Sequence, residues 1–333
     1  MDPQQPPHRY PAFGGRAEGV KPDTFAAVMA TGIVSIAAVD HGFGAISDVL
    51  IVLAAVALPV LIVAAATAWR RESWNLTDLD VSLRLCTYIA ACAVVGARLA
   101  DHRIVLWALA GMALQGWLSL APVVARCMWR DRGTGLRDRA HGGWELASVA
   151  TSGLAIVMAD LKMVFLAVLF WAIAIAVYLV MTGLIVWRAI HDSSAGELVQ
   201  PDIWILMGGA AIATLAGDHI YEAGLHSVRP VTVVTWIVAT ALIPPLSYVT
   251  LQRFRRRREL PPGVWWAAVF PLGMYSAATY ATAVETGWRW LTTVSLVFFW
   301  IAFAAWTLTA LHALLRIGSP PEPAAGTRSD LAT

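Results

Sequence analysis

The chain has 333 residues, 58% of them hydrophobic and 14% charged, with 24 Lys and Arg against 22 Asp and Glu. A soluble chain carries about a quarter charged residues, so the composition excludes the pair of soluble domains that the length alone would suggest. A net charge of +2 leaves no electrostatic footprint for a nucleic-acid partner. Cys86, Cys92 and Cys127 match neither a disulfide framework nor a metal-ligand spacing. The chain reads as an all-α polytopic integral membrane protein.

Residues 1–20, rich in Pro, Gly and Gln, lack the apolar core of a signal peptide and are expected to form a disordered cytoplasmic tail. Charge-free windows then run 24–39, 49–69, 85–97, 104–125, 146–159, 163–187, 203–217, 231–252, 260–284 and 290–315. A crossing helix needs about 20 residues. The even windows hold 21 to 26 residues, whereas the first four odd ones hold 13 to 16 and the ninth holds 25. Ten windows pair into five hairpins, giving one transmembrane domain over 21–316 and a second disordered tail over 317–333.

Charge sets the orientation. Placing successive connections on alternate sides puts 19 Lys and Arg on the side of the termini and 5 on the other. Basic residues stay on the cytoplasmic side of short loops, so both termini are expected inside, in a multi-pass protein of the inner or plasma membrane. The basic connections Arg126–Arg139 and Arg253–Arg258 read as topology determinants beside anionic headgroups.

Each odd span ends near an acidic residue, Asp40, Asp101, Asp160, Asp218 and Glu285, at spacings of 61, 59, 58 and 67. A repeat of this size, one hairpin per unit, predicts five like hairpins closed into a ring around a central pore. Glycine distribution points the same way, with eight on odd spans and three on even ones, because glycine permits close helix approach or leaves room for a solute. Thr31, Gly32, Ser35, Thr87, Thr151, Gly209, Gly273 and Ser276 are the candidate pore-lining residues. Hydroxyl groups in a helix also bond the carbonyl one turn back. Arg84 and Arg98 flank span 3 and read either as local ion pairs or as an anion-attracting mouth. The span interiors hold no firm charge, which argues against a cation-driven relay and for a pore passing anions by distributed attraction.

Two stretches carry a family resemblance. Span 1 reads Phe25-Ala-Ala-Val-Met-Ala-Thr31-Gly32-Ile-Val-Ser35, and span 9 reads Trp265-Trp266-Ala-Ala-Val-Phe270-Pro271-Leu-Gly273-Met-Tyr-Ser276. With ten spans in five hairpins, the chain resembles the tellurite-resistance/dicarboxylate transporter family, which includes bacterial tellurite-resistance anion channels, a yeast malate permease and the plant slow anion channel. The resemblance implies five inner helices around a pore, five outer helices facing lipid and subunits, and a trimer. It also implies a gate at Phe270, kinked inward by Pro271. Malate-like C4-dicarboxylates or oxyanions such as tellurite or sulfite are the implied solutes, with no enzymatic activity, cofactor or metal. Prolines in several inner helices, found in some relatives, are absent from spans 1, 3, 5 and 7; they sit on even spans at Pro59, Pro122, Pro244 and Pro245.

The competing class is an integral membrane enzyme, redox or lipid-modifying. Of eight histidines only His312 lies inside a window, which gives haem no facing pair. The sequence pairs Asp40-His41, Asp101-His102 and Asp218-His219 on the outer side are the nearest thing to a metal or catalytic cluster, but read first as solvated helix ends. Trp69, Trp129, Trp144, Trp187, Trp204 and Trp290, near window ends, are expected in interfacial belts.

Overall fold

A computed structural model describes residues 22–72, 74–132, 135–191, 201–255 and 266–317. The tails expected at 1–20 and 317–333 lie outside these residues apart from Ile317, as do Trp265 and residues 256–258 of the basic connection. Among the described residues ten long helices follow in order. They are α1 (Ala26–Asp40), α2 (Gly44–Glu72), α3 (Leu79–Arg98), α4 (Arg103–Asp131), α5 (Leu146–Asp160), α6 (Val164–His191), α7 (Ile205–Glu222), α8 (Arg229–Arg255), α9 (Trp266–Thr286) and α10 (Trp290–Ile317). Single turns at Leu136–Arg139, Gly142–Glu145 and Pro201–Trp204 precede α5 and α7. Eight of the helices, with their leading turns, are long and apolar enough to cross a bilayer, α1 and α9 being the two outside that set.

The alternation of short and long windows becomes two concentric layers. The odd helices have 15 to 21 residues and the even ones 27 to 29. The spanning windows of α3, α5 and α7 are 78–94% buried, against 17–33% for those of the even helices. Each odd helix packs on the next (α1 on α3, α3 on α5, α5 on α7, α7 on α9), and α9 closes on α1. Each even helix packs on the odd helix of its own hairpin and touches the next one round. The surface of the even helices is apolar, with Val52, Val56, Val60 and Val63 of α2 all more than half exposed, as a lipid-facing helix requires. The ring predicted from the repeat is present.

Three hairpins close by one device. Past the end of α1, Gly42 adopts φ 78°. Its N–H bonds Val39 C=O and that of Phe43 bonds Ala38 C=O, which satisfies two terminal carbonyls of the helix. The same double bond pattern ends α5 through Lys162 and Met163, and α7 through Gly224 and Leu225. Lys162 stands at φ 63°, a conformation that normally selects glycine.

Candidate functional site

Alternating crossings put the start of α1 and the end of α10 on one face of the ring, here the terminal face, and the five hairpin turns on the other. At the terminal face equivalent positions of successive repeats bond one another. His141 Nδ1 lies 2.7 Å from Asp202 Oδ2 and its Nε2 lies 3.3 Å from Asp80 Oδ1, each partner 61 residues away in sequence. Trp144 Nε1 donates to the same Asp80 oxygen at 2.9 Å, and Gly143 N–H donates to Asp202 at 3.1 Å. Burial alone would push the His141 imidazolium down, but the bonds to Asp202 and Asp80 outweigh it and lift the group to about 9. Arg84 extends the belt to the first hairpin, 3.7 Å from Asp23. Hairpins one to four are thus joined edge to edge by charge.

The side chain of Phe270 on α9 is completely enclosed, at 0% exposure, and does not face lipid. Pro271 follows inside the continuous helix α9 and packs on α7, where a Cβ at Gly208 would stand 3.1 Å from Pro271 Cγ. The other glycines mark close helix contacts: a Cβ at Gly32 would meet Val94 of α3 at 2.8 Å, and one at Gly273 would meet Ile33 of α1 at 3.1 Å. Gly209 abuts Tyr178 of α6 and Ser148 of α5. The three glycines named for the pore therefore let neighbouring helices approach.

Four of the five hydroxyl residues are tied to the outer layer. Thr31 donates to Ala27 C=O at 2.7 Å and accepts Trp306 Nε1 of α10 at 2.9 Å. Thr151, 120 residues on, repeats this with Ala147 C=O at 2.7 Å and Trp117 Nε1 of α4 at 3.0 Å. Ser35 exchanges bonds with Ser47 of α2, as Ser276 does with Ser295 of α10. Thr87 donates to Arg84 C=O at 2.7 Å. All five are buried.

At the hairpin face, Arg98 Nε donates to Ser47 Oγ at 2.9 Å and its Nη2 reaches Asp48 at 3.3 Å. Arg84 and Arg98 thus stand at opposite ends of α3, each beside an aspartate. The Asp-His sequence neighbours do not pair internally. His219 Nδ1 meets Asp160 of α5 at 2.7 Å, His41 Nε2 meets Ser295 Oγ at 2.8 Å, and Asp101 and His102 are exposed. Among the described residues no group of three His, Cys, Asp or Glu is placed to hold a metal ion.

Two features escaped the sequence reading. Trp144 is 1% exposed and bonded to Asp80, so it belongs to the ring and not to an interfacial belt. Trp204, half-buried, donates to Thr250 of α8 at 3.0 Å. Trp69, Trp129, Trp187 and Trp290 are exposed as a belt requires. Glu145, placed by its charge just outside a window, is 0% exposed: its Oε1 accepts from Thr182 Oγ1 of α6 at 2.6 Å and its Oε2 from Ser148 Oγ at 3.0 Å. The expectation of span interiors free of charged residue types fails here, because the turn Gly142–Glu145 already lies inside the bundle. No local signal marked it, since a charged residue bounds nearly every window.

The comparisons agree with this architecture. The family model described as voltage-dependent anion channel matches residues 19–314. An uncharacterized transporter of Methanocaldococcus jannaschii is 24% identical over 331 residues, 87% of this chain and 91% of its own length. A second uncharacterized transporter of that organism is 24% identical over 160 residues, 45% of each chain. An uncharacterized membrane protein of Mycobacterium tuberculosis H37Rv is 30% identical over 145 residues, 40% of this chain and 72% of its own. A closed ring of five hairpins and a match running almost end to end lead to one conclusion: the chain belongs to the voltage-dependent anion channel family, the multi-pass membrane family that its spans 1 and 9 resemble.

Proposed function

We propose that the protein passes small anions along the axis of the five-helix ring, with the Phe270 ring as the barrier. The observation that carries this is the complete enclosure of Phe270 inside a closed ring of short helices, beside a proline seated on glycine. A proline inside a helix removes one backbone bond and bends the axis, which turns the preceding side chain. An aromatic group in a narrow apolar throat excludes water and with it a hydrated ion.

In this reading Thr31, Gly32, Ser35, Thr87, Thr151, Gly209, Gly273 and Ser276 form the wall of the conducting path. Their hydroxyl protons are already given to carbonyls, so attraction to the anion is weak and distributed. That suits passage more than retention. Arg84 and the basic terminal face concentrate anions at a mouth that is cytoplasmic by the charge asymmetry. C4-dicarboxylates such as malate, and oxyanions such as sulfite or tellurite, are the solute class. The host bilayer is the cell membrane, and three copies assemble through their outer helices.

The test is flux into liposomes, comparing malate, sulfite, nitrate and chloride with and without a proton gradient, for the wild type and Phe270→Ala. The alanine variant is expected to raise anion flux severalfold. Equal flux in a variant that still conducts removes Phe270 from the barrier.

A further inference from the structure

Ring closure and conduction leave the carboxyl group of Glu145 unused. It is fully buried, and the bonds it receives come from two neutral hydroxyl groups, Thr182 and Ser148. Thr182 stands nine residues before the end of α6, about 14 Å inside the terminal end of that helix at 1.5 Å per residue. Among the described residues no arginine, lysine or histidine bonds to Glu145. A lone carboxylate at such depth costs several kcal/mol, and two neutral donors offset only part of that. A bound proton removes the charge.

The groups around it are defined. Of the elements packed on α5 and its leading turn, α6 brings the Tyr178 phenol beside Glu145 and, six residues past Thr182, Arg188, whose Nη1 donates to Ala140 C=O at 2.9 Å. Asp80 of α3 and Asp202 of the 201–204 turn are both bonded to His141, and Arg84 of α3 stands by Asp23. From α4 and α7 come uncharged groups, Trp117 bonded to Thr151 and the glycine pair Gly208 and Gly209.

That glycine pair links the carboxyl group to the barrier. A Cβ at Gly209 would lie 3.0 Å from the Tyr178 ring and 3.2 Å from Ser148 Oγ, the hydroxyl that bonds Glu145. A Cβ at Gly208 would lie 3.1 Å from Pro271. One face of α7 therefore rests on the surroundings of Glu145, and the adjacent residue supports the proline behind Phe270.

We propose that Glu145 is a membrane-buried proton-binding site that controls the Phe270 barrier, with α7 as the element that carries the change. Carrying its proton, Glu145 is neutral and the seam between α5, α6 and α7 stays packed. Losing the proton creates a charge that draws in hydroxyl groups and water, widens the seam under Gly209 and shifts Gly208 against Pro271. The control of flux rests on Phe270 being the barrier; the proton site itself does not.

Two measurements on the full-length protein in liposomes separate these claims. Infrared difference spectra between acid and alkaline pH are expected to show a protonated-carboxyl carbonyl band that disappears on deprotonation and is missing in Glu145→Gln. A wild-type difference spectrum in which Glu145→Gln removes no band overturns the site. Anion flux of the wild type is expected to vary with the pH on the terminal face, and that of Glu145→Gln to be flat from pH 5.5 to 8.5. A wild-type pH profile retained by Glu145→Gln overturns the control of flux. Phe270→Ala should conduct more, lose the pH profile and keep the infrared band. A band kept without any gain in flux preserves the proton site and removes the link to the barrier. Should Glu145→Gln fail to fold, Thr182→Val is read instead. Loss of a donor to the charged carboxylate is expected to move the infrared midpoint to higher pH, and an unmoved midpoint overturns the site.

Discussion

Replacing His141 with glutamine removes the cation that holds three hairpins together at the terminal face. His141 lies between Asp202 at 2.7 Å and Asp80 at 3.3 Å with its side chain 25% exposed, so solvent screens these bonds only in part. Its imidazolium is held at about 9 against an ordinary value of 6.5. At about 1.4 kcal/mol per unit this is about 3 kcal/mol of stability, the size expected of two hydrogen bonds to charged groups after desolvation. The folded state holds the proton more tightly than the unfolded chain. Its contribution is therefore complete below about pH 6.5 and fades as the pH rises through about 9. Glutamine carries no charge and bridges only one aspartate at a time. Apparent melting in detergent, followed by tryptophan fluorescence from pH 6 to 10, is expected to fall by several degrees across that window for the wild type. The His141→Gln variant should start lower and fall by less across the window, the remaining slope coming from His219 beside Asp160. A parallel pH slope in the two proteins would refute the argument, because the titrating group would then be another one.

The buried serine exchange between α1 and α2 is tested by a double-mutant cycle. Ser35 and Ser47 are both 0% exposed and each donates to the other's carbonyl at 2.8 Å. Ser35→Ala or Ser47→Ala alone is expected to destabilise by about 1–2 kcal/mol, and the pair to lose about 1 kcal/mol less than the sum; strict additivity would show that the two do not act together. A Cβ at Gly153 would fall 2.9 Å from Ala93 Cβ, an atom fixed to the backbone of α3. Gly153→Ala is therefore expected to cost about 1–3 kcal/mol, whereas Gly111→Ala, with nothing within 4 Å, should be neutral or stabilising. Equal melting of these two variants would contradict the close approach of α3 and α5.

Much of the fold was legible in the chain because membrane insertion reads local quantities. Hydropathy and charge are summed over a window of sequence with no knowledge of neighbours. The ten windows, their pairing and the short-long alternation therefore survive into α1–α10. The repeat was legible for a related reason: equivalent positions near 60 residues apart meet when five like units close, as Asp80, His141 and Asp202 do. Side-chain partners obey no such local rule. Thr31 and Ser35 sit one turn apart on one helix, yet one accepts a bond from α10 and the other exchanges bonds with α2. Gly32 and Gly273 were legible as glycines of the inner helices, but the neighbours they admit, Val94 and Ile33, were not, because a glycine looks the same whether a solute or a helix approaches it. Glu145 is the sharpest case. Its charge placed it outside the membrane by composition, and the packing of its turn against α6 placed it inside, where Thr182 and Ser148 could reach it. The amino-acid order determined how many helices cross and which are short. Ring closure alone decided which polar groups lose water and what replaces it, since that depends on contacts between residues far apart in the chain.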